Sequence, residues 1–196
     1  MRFVLFLTLL LSFFPGGNVT AQTRDAVFAG GCFWCLEGPF DALTGVIETQ
    51  AGYTGGKLPN PTYEDVSSGT SGHIEAMRVV YDPEKVDFEK LLDVFWRNID
   101  PTDAGGQFCD RGPQYRSAIF FGNEAEEALV KAGKAKLEEA RGFKIATEIL
   151  PRTEFYAAEE YHQDYYKKNP LRYHFYRQGC GRDLRLKQIW GAETKP

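Results

Sequence analysis

The sequence lacks any run of basic residues that could follow a phosphate backbone or an anionic membrane surface. Its 23 lysines and arginines are outnumbered by 27 aspartates and glutamates, which gives a formal net charge of −4 with the three histidines neutral. Mild acidity without a Lys/Arg-rich patch argues against a nucleic-acid or membrane partner. The substrate is therefore expected to be neutral or of varied charge.

A hydrophobic run long enough to cross a membrane is also missing. The apolar run after Arg2, residues 3–14, has 12 residues, well short of the roughly 20 that a spanning helix needs. A small-residue pattern that ends at Ala21 follows it, and this order is typical of a secretory signal peptide. We expect residues 1–21 to be removed and residues 22–196 to form one domain. This domain is expected to act as a monomer in the periplasm or outside the cell.

Internal repeats, low-complexity segments and dividing linkers are absent too, which favours a single domain. The hydrophobic pattern predicts five strands, at 27–29, 46–53, 74–81, 115–121 and 147–150. It also predicts one helix that begins at the motif of Cys32 and Cys35 and three further helices, at 87–98, 124–141 and 156–168. This order predicts an α+β two-layer sandwich of the split βαβ (ferredoxin-like) type, with an extended C-terminal region. Two long polar loops are predicted at 54–72 and 100–114. Long loops in a compact domain commonly carry functional residues.

Cysteine is scarce, and the positions of the four cysteines carry most of the chemical information. Cys32 and Cys35 form a C-x-x-C motif, whereas Cys109 and Cys180 are distant in the sequence. Two structural disulfides are one interpretation and a zinc site is another. A domain of this length does not need disulfides for stability, and no second C-x-x-C or histidine at ligand spacing accompanies the first. We therefore expect redox chemistry without a bound metal or cofactor.

Two glycines, Gly30 and Gly31, join an apolar segment at 26–29 to Cys32, which predicts a tight turn from a strand into a helix. The amide groups and positive dipole end of that helix would face the Cys32 sulfur and favour its thiolate, the nucleophilic form. Cys35 would lie one helical turn away, where a disulfide can form. A thiol-disulfide oxidoreductase of thioredoxin type shares this layout, so it is a competing interpretation. An exported, disulfide-stabilised binding domain without enzymatic activity is a third.

Four further segments place polar groups in loops or at strand ends: residues 52–56 (GYTGG), 72–76 (GHIEA), 109–117 (CDRGPQYRS) and 161–165 (YHQDY). Together with the GCFW run at 31–34, and in this order, they resemble the MsrA family of peptide methionine-S-sulfoxide reductases over nearly the whole chain after residue 21. The resemblance implies reduction of the S epimer of methionine sulfoxide, in proteins and as the free amino acid, for the repair of oxidised proteins. It also implies an external thioredoxin-like dithiol as reductant.

The resemblance assigns the central steps to residues of the first motifs. Cys32 would attack the sulfoxide sulfur and be left as a sulfenic acid. Phe33 and Trp34 would form the walls of the slot that holds the substrate methyl group. Glu75 would be the acid that protonates the sulfoxide oxygen, kept neutral by an apolar pocket.

The remaining motif residues would support this chemistry. Tyr53 and Tyr115 would supply further hydroxyl donors, and Asp110 would belong to the polar network near the site. His162 is interpreted as structural, packed and hydrogen-bonded behind the site. The other two histidines, His73 and His174, carry no functional signal.

A second thiol must resolve the sulfenic acid, and here the sequence departs from the commonest family pattern. Cys35 stands where the family usually has glycine, which makes it a candidate resolving cysteine. Cys180 lies in a glycine-flanked segment, 178–181, and resembles the recycling cysteines that many members carry on a mobile tail. A relay through both is compatible with the sequence. Cys109 ranks below them, as a further relay member or a buried small residue.

Overall fold

The structure, a computed structural model, describes residues 22–191, so the predicted signal peptide lies outside the described residues. Helices and strands follow one another along the chain in this order: β1 (Arg24–Gly30), α1 (Trp34–Asp41), β2 (Val46–Thr54), α2 (Tyr63–Ser67), β3 (Ile74–Tyr81), α3 (Phe88–Arg97), β4 (Gly106–Gln107), β5 (Asp110–Arg111), β6 (Ser117–Phe121), α4 (Glu124–Arg141), β7 (Glu148–Pro151), β8 (Tyr156–Ala157), α5 (Tyr165–Lys168), α6 (Pro170–Gly179) and α7 (Arg182–Trp190).

Six of the strands form one mixed sheet in the order β7-β6-β1-β3-β2-β8. All neighbouring strands are antiparallel except β6 and β7, which are parallel. Strand β3 lies between β1 and β2, so the first half of the chain forms the split βαβ arrangement. The predicted α+β class and sheet type are thereby confirmed.

The main helices begin and end where the sequence provides caps. The Asp87 side chain accepts a hydrogen bond of 2.7 Å from the Lys90 N–H at the start of α3, and Gly142 ends α4 in the left-handed conformation. Both features satisfy backbone groups that a helix end leaves unpaired. Helix α3 buries its apolar face against the sheet, where the ring of Phe28 stacks on those of Phe40 and Phe95 with centroids 5.2 Å apart. The main core therefore lies between the sheet and α1 and α3.

Two sequence predictions at the C-terminal end are wrong. The helix expected at 156–168 is instead strand β8, a 3-10 turn at Glu160–His162 and the short helix α5. Asp164, with a φ of 53°, interrupts any continuous helix there, because L-residues leave the helical region at such an angle. The expected extended C-terminal region consists of α6 and α7. No residue of α6 is fully buried, so it carries little apolar periodicity that a sequence analysis could detect.

The pairing of the strands brings three chain segments to one end of the sheet. Because β3 and β6 both run antiparallel to β1, their first residues lie beside the last residues of β1. Gly30 pairs with Ser117 of β6, and Glu75 of β3 pairs with Tyr53 of β2. The cysteine motif, Glu75 and the loop before Ser117 therefore meet. Between residues 22 and 191, no helix combines the length and apolar character needed to cross a bilayer.

Candidate functional site

A tight turn presents Cys32 immediately after β1. Gly31 has a φ of +78°, and a Cβ atom on it would lie 2.5 Å from the Gln107 side chain, so this position requires glycine. The Cys32 carbonyl accepts a hydrogen bond of 3.1 Å from the Cys35 N–H, and α1 starts at Trp34. Cys32 and Cys35 are free thiols and are buried, with exposed fractions of 5% and 1%.

Cys32 lies in a cavity of about 80 Å³ that combines a sulfur, two carboxyl groups and a set of aromatic side chains. Its lining residues are Cys32, Phe33, Trp34, Tyr63, Glu75, Asp110, Tyr115 and Tyr176. Six of the nine residues that the sequence analysis assigned to catalysis, resolution or substrate binding are in this set; Tyr53, Cys35 and Cys180 are not.

The two aromatic residues that follow Cys32 are held by different neighbours. Phe33 is buried, with its ring centroid 5.0 Å from that of His162. Trp34 stacks face to face on Tyr165 at 3.7 Å and meets Tyr176 edge-on at 5.8 Å. The cavity walls are therefore fixed by ring packing against the segment 162–176.

Glu75 is the buried acid of the cavity. One of its oxygens, Oε2, accepts a hydrogen bond of 3.2 Å from the Phe33 N–H. Burial raises the pKa of Glu75 to about 8, an effect that the Phe33 N–H opposes and the nearby Asp110 increases. The carboxyl group is therefore protonated at neutral pH and can donate a proton.

The expected low pKa of Cys32 is not present in this state of the protein. Burial is the largest influence and raises the pKa of Cys32, with further increases from a hydrogen bond to Cys35 and from the charge of Glu75. The same hydrogen bond lowers the pKa of Cys35 to about 6, against the effect of burial. The dipole of a helix that starts two residues later does not outweigh burial beside a carboxyl group. A proton shared by the two sulfurs is therefore held more strongly at Cys32 than at Cys35.

The two tyrosines expected as hydroxyl donors are placed differently. Tyr115 lines the cavity, and burial followed by the charge of Glu75 raises its pKa, so it keeps its proton. Tyr53 is buried beside Phe33, but its hydroxyl group donates a hydrogen bond of 2.8 Å to Glu159. In this structure the Tyr53 proton is thus directed at Glu159 instead of the cavity.

Sequence reasoning missed two tyrosines of the cavity, Tyr63 and Tyr176. The Tyr176 hydroxyl donates a hydrogen bond of 2.6 Å to Asp110, and its proximity to the Cys32 thiol lowers the pKa of that thiol, against the larger effect of burial. With ten tyrosines in the chain, spacing alone gives no signal for either position. Only the packing of α6 against the cysteine motif identifies Tyr176.

Asp110 connects the cavity with the other two cysteines. It accepts a hydrogen bond from the Cys32 N–H as well as from Tyr176, and burial raises its pKa. Cys109 and Cys180 form a disulfide, and their sulfur atoms lie 3.8 and 3.9 Å from the two Asp110 oxygens. Cys109 is exposed and Cys180 is half-buried. Cys180 is thus paired with Cys109 in this structure, while Cys35 remains beside Cys32.

The histidines show no metal-binding arrangement. His162 is buried, packs against Tyr161 and Tyr63 with centroids 4.2 and 4.6 Å apart, and has no hydrogen-bond partner within the described chain. The expected packing is present, but the expected hydrogen bond is not. Burial lowers the pKa of His162, so the ring is neutral. His73 is buried and has both ring nitrogens within hydrogen-bond distance of backbone groups, whereas His174 is exposed.

One cluster of potential metal ligands occurs within residues 22–191. It consists of Cys109, Asp110 and Cys180, with ligand atoms that all lie within 4.8 Å of one another. Because the two sulfurs are joined to each other, they are not thiolates in this state, and thiolate is the form that binds zinc.

The chain is similar to known proteins in both sequence and fold. The family model described as peptide methionine sulfoxide reductase matches residues 24–194. Peptide methionine sulfoxide reductase MsrA 2 of Caulobacter vibrioides is 56% identical over 174 residues, which are 87% of each chain. Among solved structures, reduced Mxr1 from Saccharomyces cerevisiae has a TM-score of 0.73 at 34% identity and covers 78% of this chain and 88% of its own. Mxr1 has also been solved in complex with Trx2; that structure has a TM-score of 0.51 at 24% identity and covers 74% of this chain and 86% of its own.

The hydrogen bond between the two buried thiols predicts how thiolate formation depends on pH. We expect thiolate to form as pH rises through about 6, as measured by ultraviolet thiolate absorbance of the protein with Cys109–Cys180 intact. Cys32→Ala should raise the pKa of Cys35, because the hydrogen bond that lowers it is lost and burial remains. Cys32→Ser, whose hydroxyl can still donate, is the matched control and should retain part of the shift. An unchanged titration in Cys32→Ala would contradict this interpretation.

Proposed function

The chain belongs to the peptide methionine sulfoxide reductase family, and we propose that the cavity at Cys32 is the site where it acts. The protein reduces methionine-S-sulfoxide to methionine by cysteine chemistry, through an intramolecular disulfide that a thioredoxin-like reductant removes. One observation carries the assignment of the site. A buried thiol, a buried protonated carboxyl group and aromatic walls meet in a single small cavity.

The cavity matches the chemistry of a sulfoxide. A methyl sulfoxide has a polar S–O group flanked by a methyl group and an alkyl chain, so its site requires an apolar slot, proton donors for the oxygen and a nucleophile for the sulfur. Phe33 and Trp34 provide the apolar walls. Glu75 and Tyr115 provide the donors, and Cys32 is the nucleophile.

In the first step the Cys32 sulfur attacks the sulfoxide sulfur. Cys32 passes its proton to the Cys35 thiolate, with which it already shares a hydrogen bond. Glu75 donates its proton to the oxygen, on which negative charge develops, and Tyr115 hydrogen-bonds to the same oxygen. The substrate S–O bond then breaks as the hydroxyl group is transferred to the Cys32 sulfur, so methionine leaves as the sulfide and Cys32 becomes a sulfenic acid.

In the second step Cys35 resolves the sulfenic acid. Its sulfur attacks that of Cys32, a Cys32–Cys35 disulfide forms, and the Cys35 proton leaves with the hydroxyl group as water. Glu75 regains its proton from solvent. The hydrogen bond of Cys35 to Cys32 supports this role for Cys35, and the bond of Cys180 to Cys109 makes Cys180 unavailable for it in this state.

The electron donor of this chain belongs, in this proposal, to the thioredoxin-like class. The solved complex of Mxr1 with Trx2 supports the class of donor for a relative.

The competing thioredoxin-type oxidoreductase is not supported. In the described chain β1 is the first strand and already carries the cysteine motif, so no βαβ unit precedes it there. Thiol–disulfide exchange alone would also require no proton donor at the position of Glu75.

Stereoselective turnover tests the function directly. With a dithiol reductant, we expect methionine to form from the S sulfoxide and not from the R sulfoxide, and Cys32→Ser to abolish it because the nucleophile is lost. Methionine is quantified by chromatography. Cys109→Ser is the matched control, because it makes the same change of residue but leaves both buried thiols in place. This variant should still form methionine in the first turnover. Turnover in Cys32→Ser, or equal use of the two epimers, would contradict the assignment.

The pKa of Glu75 predicts how the rate depends on pH. The acid must be protonated, so with a raised pKa activity is present below about pH 8 and falls as pH rises through that value. Glu75→Gln cannot transfer a proton and should lower kcat by about 10²–10⁴-fold. It should also remove this alkaline decline. Glu64→Gln makes the same change at an exposed position and should leave the profile unaltered. An alkaline decline that persists in Glu75→Gln would assign the acid to another group.

We also propose that the protein is exported, on the basis of the apolar run at 3–14 and the small residues before Gln22. Oxidised exported proteins would then be its substrates, and its reductant must receive electrons across the membrane, since that compartment is oxidising. N-terminal sequencing of the protein produced in a bacterial host should begin at Gln22. A mature protein that retains residues 1–21 and stays in the cytoplasm would overturn the proposal.

A further inference from the structure

We propose that Glu37 is a positioning residue that sets the width of the methyl slot. It does so by holding residues 162–165, here called the cover segment, against Phe33 and Trp34. The inference rests on the proposed function, in which these two rings form the walls of the slot. Glu37 is not among the residues that line the cavity, so it acts on the substrate only through the residues that it holds.

The cover segment supplies one ring for each wall of the slot. The His162 ring lies 5.0 Å from that of Phe33, centroid to centroid. The Tyr165 ring stacks on that of Trp34 at 3.7 Å, and the two ring planes differ by only 7°. A displacement of the cover segment would therefore move the rings against which both walls rest.

Glu37 ties the cover segment to α1. Its Oε1 atom accepts a hydrogen bond of 2.7 Å from the Asp164 N–H, a contact between residues 127 positions apart. Glu37 follows Trp34 by three residues in α1, and residues at this spacing project from the same face of a helix. Asp164 directly precedes Tyr165. The hydrogen bond to Glu37 and the ring stack on Trp34 thus act on neighbouring residues of the cover segment.

The backbone conformation of the cover segment requires contacts of this kind. Asp164 has a φ of 53° and a ψ of 31°, and a residue with a side chain keeps this left-handed conformation only when its surroundings hold it. On one side, the Gln163 side chain bonds to both backbone groups of Ala51 at 2.8 and 3.0 Å. Glu37 holds the other side. The chain therefore turns at Asp164 and directs Tyr165 to α1.

Stability alone does not account for a carboxyl group at position 37. Glu37 is 1% exposed, and burial raises its pKa to about 7, against the effect of the Asp164 N–H. Burying a carboxyl group costs free energy that an apolar side chain of similar size would not. What a glutamate provides here, and a methionine would not, is an acceptor for the Asp164 N–H.

A slot with fixed walls discriminates by the size of the alkyl group on the sulfoxide sulfur. The cavity has a volume of about 80 Å³, and one methylene group changes specificity in an apolar pocket by about 10–200-fold. Walls that are free to separate would admit an ethyl group more easily. Glu37 therefore contributes to selectivity for methyl sulfoxides and takes no part in proton transfer.

The ratio of two substrates tests this role. With a dithiol reductant, kcat/KM is measured for methionine-S-sulfoxide and for the S epimer of ethionine sulfoxide, and the sulfides are quantified by chromatography. Glu37→Met should lower the wild-type ratio by about 10-fold, because methionine does not accept the Asp164 N–H. Glu37→Gln keeps an acceptor oxygen and should retain the ratio. Glu48→Met, the same change at an exposed position of β2, is the matched control.

Two further measurements separate the contact from charge and from stability. Glu37→Asp keeps the charge but withdraws the carboxylate by one methylene group, so it should lower the ratio as Glu37→Met does. Loss of folded protein would reduce both rates and leave their ratio unchanged. Hydrogen exchange of the Asp164 amide in the wild-type protein reports the hydrogen bond without any variant, and this amide should be protected.

Several outcomes overturn the proposal. They are an unprotected Asp164 amide, a wild-type ratio near one, a wild-type ratio in Glu37→Met or Glu37→Asp, or a ratio in Glu37→Gln as low as in Glu37→Met. The two wild-type measurements decide even if a variant fails to fold. Folded wild type that forms no methionine from the S sulfoxide would contradict the proposed function itself, and this result is distinct from a change in ratio.

Discussion

The burial of the Glu75 carboxyl group beside Cys32 is the constraint on which the rest of the site depends. A carboxyl group exposed to water would be ionised at neutral pH and could not protonate a sulfoxide. Glu75 stays neutral because antiparallel pairing places the start of β3 beside the end of β1, under the turn that carries Cys32. The Phe33 N–H then fixes the orientation of the carboxyl group. The sheet thus supplies both the low-dielectric environment and the position of the acid.

The same burial explains which features could be predicted from the sequence. Local signals such as the Asp87 cap, Gly142 and the alternation in 74–81 identify elements without tertiary information, and their order defines the split βαβ sheet. The pKa of Cys32 could not be obtained in this way, because it depends partly on Glu75, a residue distant in the sequence that only the folded chain brings beside Cys32. The orientation of the Tyr53 hydroxyl toward Glu159 likewise depends on a contact 106 residues away.

The disulfide pairing is a further property that the sequence leaves open. Four cysteines allow three connectivities, and the motif at 32–35 says nothing about the partner of Cys180. Helices α6 and α7, which carry Cys180 to Asp110, bury few residues and show weak periodicity. The hydrophobic pattern of the sequence therefore predicts the elements of the core well. The position of Cys180 instead depends on the hydrogen bonds that Tyr176 and Arg182 make with distant parts of the chain.

The arrangement of protons has a consequence for catalysis in a buried site. In the proposed mechanism, Glu75 is neutral and the Cys35 thiolate carries the negative charge before attack, whereas Glu75 is ionised and Cys35 is neutral after it. The net charge of the cavity is the same in both states. Since each additional buried charge would carry a large desolvation cost, moving one charge between two existing positions avoids that cost. The low pKa of Cys35 and the high pKa of Glu75 are thus both needed for this exchange of charge. A site with only one of these two shifts would have to create or remove a buried charge in every turnover.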